Sequence, residues 1–123
     1  MTPSIKPLVA GNWKMNGIEA SLSELRTVKN TFLGGLDSDT DVLVCVPATL
    51  IDRAAQAVRG SPVAIGGQDC HAADSGAHTG DVSRAMLKDA GAKYVIVGHS
   101  ERRTNHAESN ETVKAKTLAA HRA

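Results

Sequence analysis

Four short runs of apolar residues recur along the chain, and most of their members are β-branched. They cover residues 8–10, 42–46, 63–65 and 94–97, so their starts are 34, 21 and 31 residues apart. Such intervals are typical of the crossover that joins two parallel strands through a helix. The runs are continuously apolar rather than alternating, which predicts strands that are covered on both faces.

Between the first two runs, apolar residues recur every three or four positions, which is the spacing of one helix face. This face consists of Ile18, Leu22, Leu25, Val28 and Phe32. We expect the helix to begin at Asn16 and Gly17 and to end at Gly34 and Gly35, with a polar turn at 37–41 before the second strand.

Three further helices are predicted by capping residues and apolar faces. Thr49 should cap the second helix, whose inward residues would be Leu50, Ala54, Ala55 and Val58. Ser83 should cap the third, which Gly91 would end and whose inward residues would be Met86, Leu87 and Ala90. The fourth should span residues 108–121. The chain therefore reads as four β/α units in a single domain covering residues 1–123.

Residues 66–80 interrupt this rhythm as a long loop without helical or strand pattern. Loops of this length inside compact domains are usually functional. In α/β folds the site lies at the carboxyl ends of the strands, so the segments after the first and fourth strands are the strongest candidates. These segments hold Lys14, and His99 followed by Ser100 and Glu101.

Each of these side chains has two interpretations. Lys14 could neutralise a substrate phosphate or enolate oxygen, or it could be a solvated loop lysine. His99 could donate a hydrogen bond to a developing oxyanion as a neutral imidazole at a helix start, or be satisfied by the local backbone. Glu101 could act as an acid or base, or be a helix-start carboxylate. Arg102 and Arg103 could bind phosphate, but a structural ion pair and a solvated residue are the more usual roles.

Composition narrows the function class. The 14 Lys and Arg against 13 Asp and Glu give a net charge of +1, and only three residues are aromatic, which argues against a nucleic-acid partner. No run approaches the ~20 apolar residues of a membrane span, and no secretory signal is recognisable, so we expect a cytoplasmic protein with reduced cysteines and no membrane partner. Cys70, His71 and His78 make a poor metal set, and no nucleotide-binding motif follows a strand.

Three segments, taken together, resemble the triosephosphate isomerase family. They are GNWKMN at 11–16, GAHTG at 76–80 and VGHSERR at 97–103, and their order and spacing agree with that family from about residue 7 to 123. The resemblance implies a TIM (β/α)8 barrel of which this chain covers about the first four β/α units. A whole barrel typically needs ~250 residues, so 123 residues cannot contain one.

The resemblance also implies roles for individual residues. Asn12 and Lys14 would bind the triose phosphate, and Lys14 would stabilise negative charge. His99 would be the neutral electrophile that polarises the carbonyl, with Ser100 and Glu101 as supporting residues. The reaction would interconvert glyceraldehyde 3-phosphate and dihydroxyacetone phosphate through an enediolate, with no metal and no organic cofactor.

A homodimer is implied as well. The loop from Gln68 to Thr79 would form the dimer contact, with Thr79 reaching the partner's site and Met15 near the interface. This sequence departs from the family at two places, with Asp81 where Glu is more usual and His78 where Phe is frequent.

The family's general base, a Glu followed by Pro, is absent from residues 1–123. Two hypotheses follow. The chain could be part of an isomerase about twice as long, and inactive alone, or it could be a non-catalytic half-barrel that binds phosphate or assembles with partners.

Overall fold

The computed structural model describes residues 4–33 and 39–122, and within them four parallel strands alternate with helices. The strands are β1 (Leu8–Asn12), β2 (Asp41–Cys45), β3 (Val63–Gly67) and β4 (Tyr94–Val95). The helices are α1 (Leu22–Leu33), α2 (Ile51–Ala57), α3 (Arg84–Ala90), α4 (Ser100–His106) and α5 (Asn110–His121). None of these helices is long and apolar enough to cross a bilayer.

The strands lie in the order β1-β2-β3-β4, and every neighbouring pair is parallel. The four predicted strands are thereby confirmed. Sequential order is that of a barrel, whereas a doubly wound sheet reverses its order at the centre. β4 is shorter than the predicted 94–97, because the pairing ends at Val95 and only the Ile96 N–H continues it, donating to Gly67 O at 3.0 Å.

The core lies where α1, α2 and α3 pack on one face of the two central strands. Its buried members include Leu22, Leu25, Val42, Val44, Val46, Leu50, Ile51, Ala54, Val63, Ile65 and Leu87. On the other face Leu43 and Cys45 are also buried, and both lie against Gly66, where a Cβ would come within 2.8 Å of the Cys45 sulfur. Because Gly66 has no side chain, Leu43 and Cys45 can pack against its backbone on this second face of the sheet.

The expectation that every strand is covered on both faces is wrong for the edges of the sheet. Leu8 is 46% exposed and Val9 is 59% exposed in β1, and Tyr94 is 41% exposed in β4. Within residues 4–33 and 39–122, both strands have a neighbour on one side only. An apolar run thus fixes the strand, but burial depends on what packs beside it.

The start of the first helix is also corrected. A single 3₁₀ turn, Glu19–Ser21, precedes α1, and the Ile18 N–H donates to Ser21 Oγ at 3.0 Å. Asn16 and Gly17 belong to the preceding loop, and Ile18 is 71% exposed rather than inward. The predicted end at Gly34 and Gly35 lies outside the described residues, as does part of the predicted turn at 37–41.

Capping was predicted correctly for the third helix and wrongly for the second. Ser83 Oγ accepts the Met86 N–H at 3.2 Å, and Gly91 ends α3 with a φ of 109°. Thr49, in contrast, lies inside a 3₁₀ turn, Ala48–Leu50, and makes no capping bond to α2. Met86 is 57% exposed, so it does not belong to the inward face.

The last quarter of the chain contains two helices. Ser109 caps α5 by accepting the Thr112 N–H at 3.1 Å, so the predicted helix at 108–121 is confirmed with a start two residues later. The predicted first turn at Ser100 grows into the separate helix α4, which ends at Ala107 with a left-handed φ of 52°.

Candidate active site

The loops that follow β1 and β4 meet through an ion pair between the two predicted charged residues. Lys14 Nζ lies 2.7 Å from Glu101 Oε1, and both side chains are about half exposed. The pair forms because the carboxyl ends of parallel strands lie at one edge of the sheet. A fixed cation, its counterion and His99 are thereby gathered at the edge where the sequence placed them.

The backbone of Lys14 adopts the left-handed conformation, with a φ of 57°. Side-chain-bearing residues rarely do so, and the strain is of order 1–3 kcal/mol. The Lys14 N–H donates to Asn12 Oδ1 at 2.9 Å, which closes the turn from inside. The Asn12 amide thus shapes the loop that presents the Lys14 ammonium.

The side-chain amide of Gln68 holds this loop through hydrogen bonds. Its Nε2 group donates to Lys14 O at 2.8 Å, and lies 3.3 Å from Asn12 Oδ1 and 3.4 Å from Cys45 O. Sequence reasoning assigned Gln68 only to a dimer loop and missed this role. No local signal could have found it, because the partners lie up to 56 positions away in the chain.

His99 is the N-cap residue of α4, and its imidazole is oriented by the helix it caps. The Glu101 N–H donates to His99 Nδ1 at 3.0 Å. A nitrogen that accepts a hydrogen bond carries no proton, so in the neutral ring the proton is on Nε2. The backbone satisfies one nitrogen, as the second interpretation of His99 expects, and leaves the other nitrogen as a donor.

Glu101 lies between the two candidate side chains, Lys14 and His99. The hydrogen bond from Lys14, together with the charge of Lys14, holds the pKa of the Glu101 carboxyl below its ordinary value. Its second oxygen, Oε2, lies 3.7 Å from His99 Nδ1. Ser100 begins α4 between them and is exposed.

Four charged side chains form a cluster beneath α4, and we call Asp69, Arg102, Glu108 and Lys116 the buried ion cluster. Lys116 Nζ lies 2.8 Å from Glu108 Oε2 and 2.9 Å from Asp69 Oδ1. Arg102 bonds the same two carboxylates at 2.7 and 3.2 Å. The structural ion pair considered for Arg102 is therefore confirmed, and the cluster joins the loop after β3 to α4 and α5.

Burial and pairing act against each other on the pKa values in this cluster. Burial raises the pKa of Glu108, but hydrogen bonds from Lys116 and Arg102 outweigh it and leave the pKa below the ordinary value. Burial lowers the pKa of Lys116, and the bonds to Glu108 and Asp69 reverse that shift. Both groups are thus charged at neutral pH.

The long loop after β3 is anchored at its base and exposed at its tip. Asp74 binds Arg84 of α3 and Arg122 beyond α5, at 3.1 and 3.2 Å. The rings of His71 and His78 stack with centroids 3.9 Å apart. Thr79 is exposed at the tip, and Met15 across the sheet edge is 95% exposed.

Both cysteines are free and buried, and burial raises the pKa of each thiol. Among residues 4–33 and 39–122, no three potential metal ligands come together. A cavity of about 670 Å³ lies beside β4, α3 and α5, lined in part by Tyr94, Val95 and Ala120. None of Asn12, Lys14 and His99 lines it, and it lies on the side of β4 where the described part of the chain provides no neighbouring strand.

Comparison with known proteins matches this geometry to one family. The family model described as triosephosphate isomerase covers residues 7–123. The triosephosphate isomerases of Mesorhizobium japonicum and Afipia carboxidovorans are each 60% identical over the whole chain, which covers 48% and 49% of their lengths. A crystal structure of triosephosphate isomerase from Bartonella henselae superposes with a TM-score of 0.88 at 51% identity, over 96% of this chain and 48% of that one. The chain spans about half the length of these relatives.

Proposed function

The chain belongs to the triosephosphate isomerase family, and we propose that it supplies the N-terminal half, four β/α units, of an isomerase that interconverts glyceraldehyde 3-phosphate and dihydroxyacetone phosphate. The observation that carries this proposal is the joint arrangement of Lys14, Glu101 and His99 at one edge of the sheet. It combines a cation for the substrate's negative charge with a neutral donor for its carbonyl oxygen.

Lys14 provides the electrostatic part. In the free site its ammonium is paired with Glu101 at 2.7 Å, half exposed to solvent. When a dianionic triose phosphate enters, the ammonium exchanges part of this contact for the substrate, and Asn12 and Gln68 hold the loop in place meanwhile. Preformed charge of this kind stabilises an enediolate because it needs no reorganisation as the negative charge develops.

His99 provides the hydrogen bond to the substrate's carbonyl oxygen. With Nδ1 occupied by the Glu101 N–H, the neutral ring presents Nε2–H outward. In the triosephosphate isomerase family a neutral histidine at the start of a helix polarises the carbonyl, and His99 has such a position. The electrophile therefore strengthens its bond as negative charge builds on the oxygen.

The general base that removes the carbon-bound proton is expected in the second half of the protein. This inference rests on the missing Glu-Pro pair and on the 48% coverage of the relatives. We therefore interpret residues 1–123 as a single, incomplete domain that needs its second half for turnover, without metal or organic cofactor.

We further infer a cytoplasmic homodimer in which the loop from Gln68 to Thr79 contacts the partner. The exposure of Met15 and Thr79 supports this inference, because a side chain as apolar as Met15 gains from being covered. In sedimentation of the full-length protein, Met15→Arg should shift the dimer towards monomer, whereas Leu33→Arg, at another exposed apolar position, should not.

Two measurements test the activity. The intact mass of the natural protein decides whether a second half exists, and a mass near that of 123 residues would favour a non-catalytic half-barrel. A coupled assay of the full-length protein should then show isomerase turnover, while residues 1–123 alone show none. Turnover by the 123-residue chain at the rate of an ordinary isomerase would refute the assignment of the base.

The role of His99 is tested by His99→Gln in the full-length protein. Glutamine keeps a donor but not the imidazole geometry, so kcat should fall much more than KM rises, because the interaction is strongest in the transition state. Equal effects on the two constants would contradict an electrophilic role.

A further inference from the structure

Helix α4, which presents His99, has no buried residue in any of its seven positions. A helix without an apolar face is not held by the hydrophobic effect, which fixes most helices against a core. Within residues 4–33 and 39–122, its position therefore comes from polar contacts and from the segments at its two ends. Those contacts determine where the His99 imidazole points.

Two contacts hold the residue just before His99. Gly98 has a φ of 67°, and a Cβ there would lie 2.7 Å from Val113 Cγ1, so α5 packs directly on its backbone. The Gly98 carbonyl accepts a hydrogen bond at 3.2 Å from Nε of Arg103. The peptide that enters His99 is thus held by α5 on one side and by Arg103 on the other.

Arg103 also reaches past the far end of α4. Its Nη1 donates at 2.8 Å to Asn110 Oδ1, in the first residue of α5. Its backbone N–H meanwhile donates to His99 O at 3.1 Å. The Arg103 side chain therefore bridges the peptide before α4 and the start of α5, and a planar guanidinium is suited to such a bridge because its donors have fixed directions.

Asn110, which accepts the hydrogen bond from Arg103, lies in a helix that is held by other contacts. Ser109 caps α5, and Lys116, one to two turns further along the helix, is fixed within the buried ion cluster. Arg102, next in sequence to Arg103, points into that cluster. The two adjacent arginines thus have separate tasks, with Arg102 anchoring the body of α4 and Arg103 its junction with β4.

We propose that Arg103 is a positioning residue that fixes His99 for catalysis; this inference rests on the isomerase function proposed above. Arg103 touches neither Lys14 nor the His99 ring, and it acts through the Gly98 carbonyl. A misplacement of about 1 Å at a reacting group can cost about 100-fold in rate, so a partial loss of this support should cost about tenfold.

The test compares Arg103→Gln, Arg103→Lys and Arg53→Gln in the full-length protein. Arg53 of α2 is the matched control. It is an exposed arginine that also donates to a backbone carbonyl, that of Thr49. We expect Arg103→Gln to lower kcat about tenfold with little change in KM, because Lys14 and Asn12 keep their contacts. Arg103→Lys should keep only part of the kcat of the unchanged protein, since an ammonium lacks the forked donors of a guanidinium. Arg53→Gln should have no effect.

Two further readouts separate positioning from a general structural role. Added guanidinium ion should restore part of the kcat of Arg103→Gln and none of that of His99→Gln. Nitrogen-15 NMR should show His99 protonated on Nε2 in the unchanged protein, and a shifted or broadened signal in Arg103→Gln. This signal needs no turnover, so it tests the positioning even if the isomerase assignment fails.

An unchanged kcat and an unchanged imidazole spectrum in Arg103→Gln would overturn the proposal. It would also be overturned if kcat, KM and urea stability all deteriorated together without rescue by guanidinium, since that pattern indicates a structural role only. Absence of isomerase activity in the unchanged full-length protein would instead refute the proposed function.

Discussion

Replacing Glu108 by Gln tests whether the buried ion cluster holds α4 and α5 to the loop that follows β3. Glu108 Oε2 accepts from both Arg102 and Lys116, at 2.7 and 2.8 Å, and its side chain is only 5% exposed. Asp69 is the second anion of the cluster, so four charges sum to zero. The substitution keeps the shape of the side chain, removes one negative charge and leaves two cations facing one carboxylate.

The magnitude follows from burial. Removing one partner of a buried pair costs about 3–5 kcal/mol, while exposed pairs contribute about 0–1 kcal/mol. The side chains of Glu108 and Lys116 are 5% and 9% exposed, whereas that of Arg102 is 31% exposed, so the cluster falls between the limits but nearer the buried one. Glu108 Oε1 is moreover buried without a hydrogen-bond partner among the described residues, so a glutamine NH₂ placed there finds no acceptor. We expect a loss of about 3 kcal/mol in the free energy of unfolding.

The assay is urea unfolding of the full-length protein at pH 7, followed by circular dichroism, with Asp74→Asn as the control. Asp74 also binds two cations, Arg84 and Arg122, but its side chain is 50% exposed, so its loss should cost much less than the loss of Glu108. In a protein about twice this length, 3 kcal/mol corresponds to a Tm lower by about 6–12 °C. Equal losses for the two variants would refute the reasoning from burial.

The same variant has a defined pH dependence. The pKa of Glu108 is lowered in the fold, so its contribution is present above its unfolded pKa, about 4.3, and is lost as pH falls through the folded value. The pKa of Lys116 is raised, so its contribution is present below about 10.4 and is lost as pH rises through the folded value. The stability difference between the unchanged protein and Glu108→Gln should therefore narrow as pH falls below about 4.3. A difference that is constant down to pH 3 would contradict the pairing.

Three further predictions concern the site itself. Gln68→Leu in the full-length protein should raise KM and lower kcat severalfold, because three oxygens around the strained Lys14 lose their donor; unchanged steady-state kinetics would contradict that role. Gly98→Ala should cost about 2–4 kcal/mol in urea unfolding, from left-handed strain and the 2.7 Å approach to Val113, and Val113→Ala in the same chain should recover part of it; an unaltered midpoint for Gly98→Ala would exclude the clash. In carbon-13 NMR titration, the pKa of Glu101 should lie below its ordinary value and rise in Lys14→Met, because Lys14 provides the largest lowering effect; an identical titration in both proteins would rule out the ion pair in solution.

The strands and the caps at Ser83 and His99 were predicted from interactions within a few residues and are confirmed, whereas the cap at Thr49 and the helix start at Asn16 and Gly17 were wrong. The four strands were predicted from runs of β-branched residues, and the third helix from Ser83 and Gly91 at its ends. His99 at a helix start was predicted in the same way and is observed, with its Nδ1 bonded two residues along the chain. Thr49 failed because a 3₁₀ turn competes for the same residues, and local pattern does not distinguish the two.

Contacts between distant segments could not be predicted from this one sequence. Gln68 reaches Asn12 across 56 positions, and Lys116 reaches Asp69 across 47. A glutamine or a lysine has no local signature for such a partner, since its long side chain is equally suited to solvent. Only the fold brings these groups within hydrogen-bond distance.

The sequence by itself thus determined the order of strands and helices along the chain. It also determined which chemical groups follow the carboxyl ends of the strands, because backbone preference, capping and strand-end position are local properties. The tertiary structure decided how those groups are arranged. It set the left-handed turn of Lys14 on the Gln68 amide, and it placed a helix without buried residues on Arg102 and Arg103. Within the described residues Leu8 and Val9 of β1 are exposed, because burial depends on neighbouring segments and not on the residue alone.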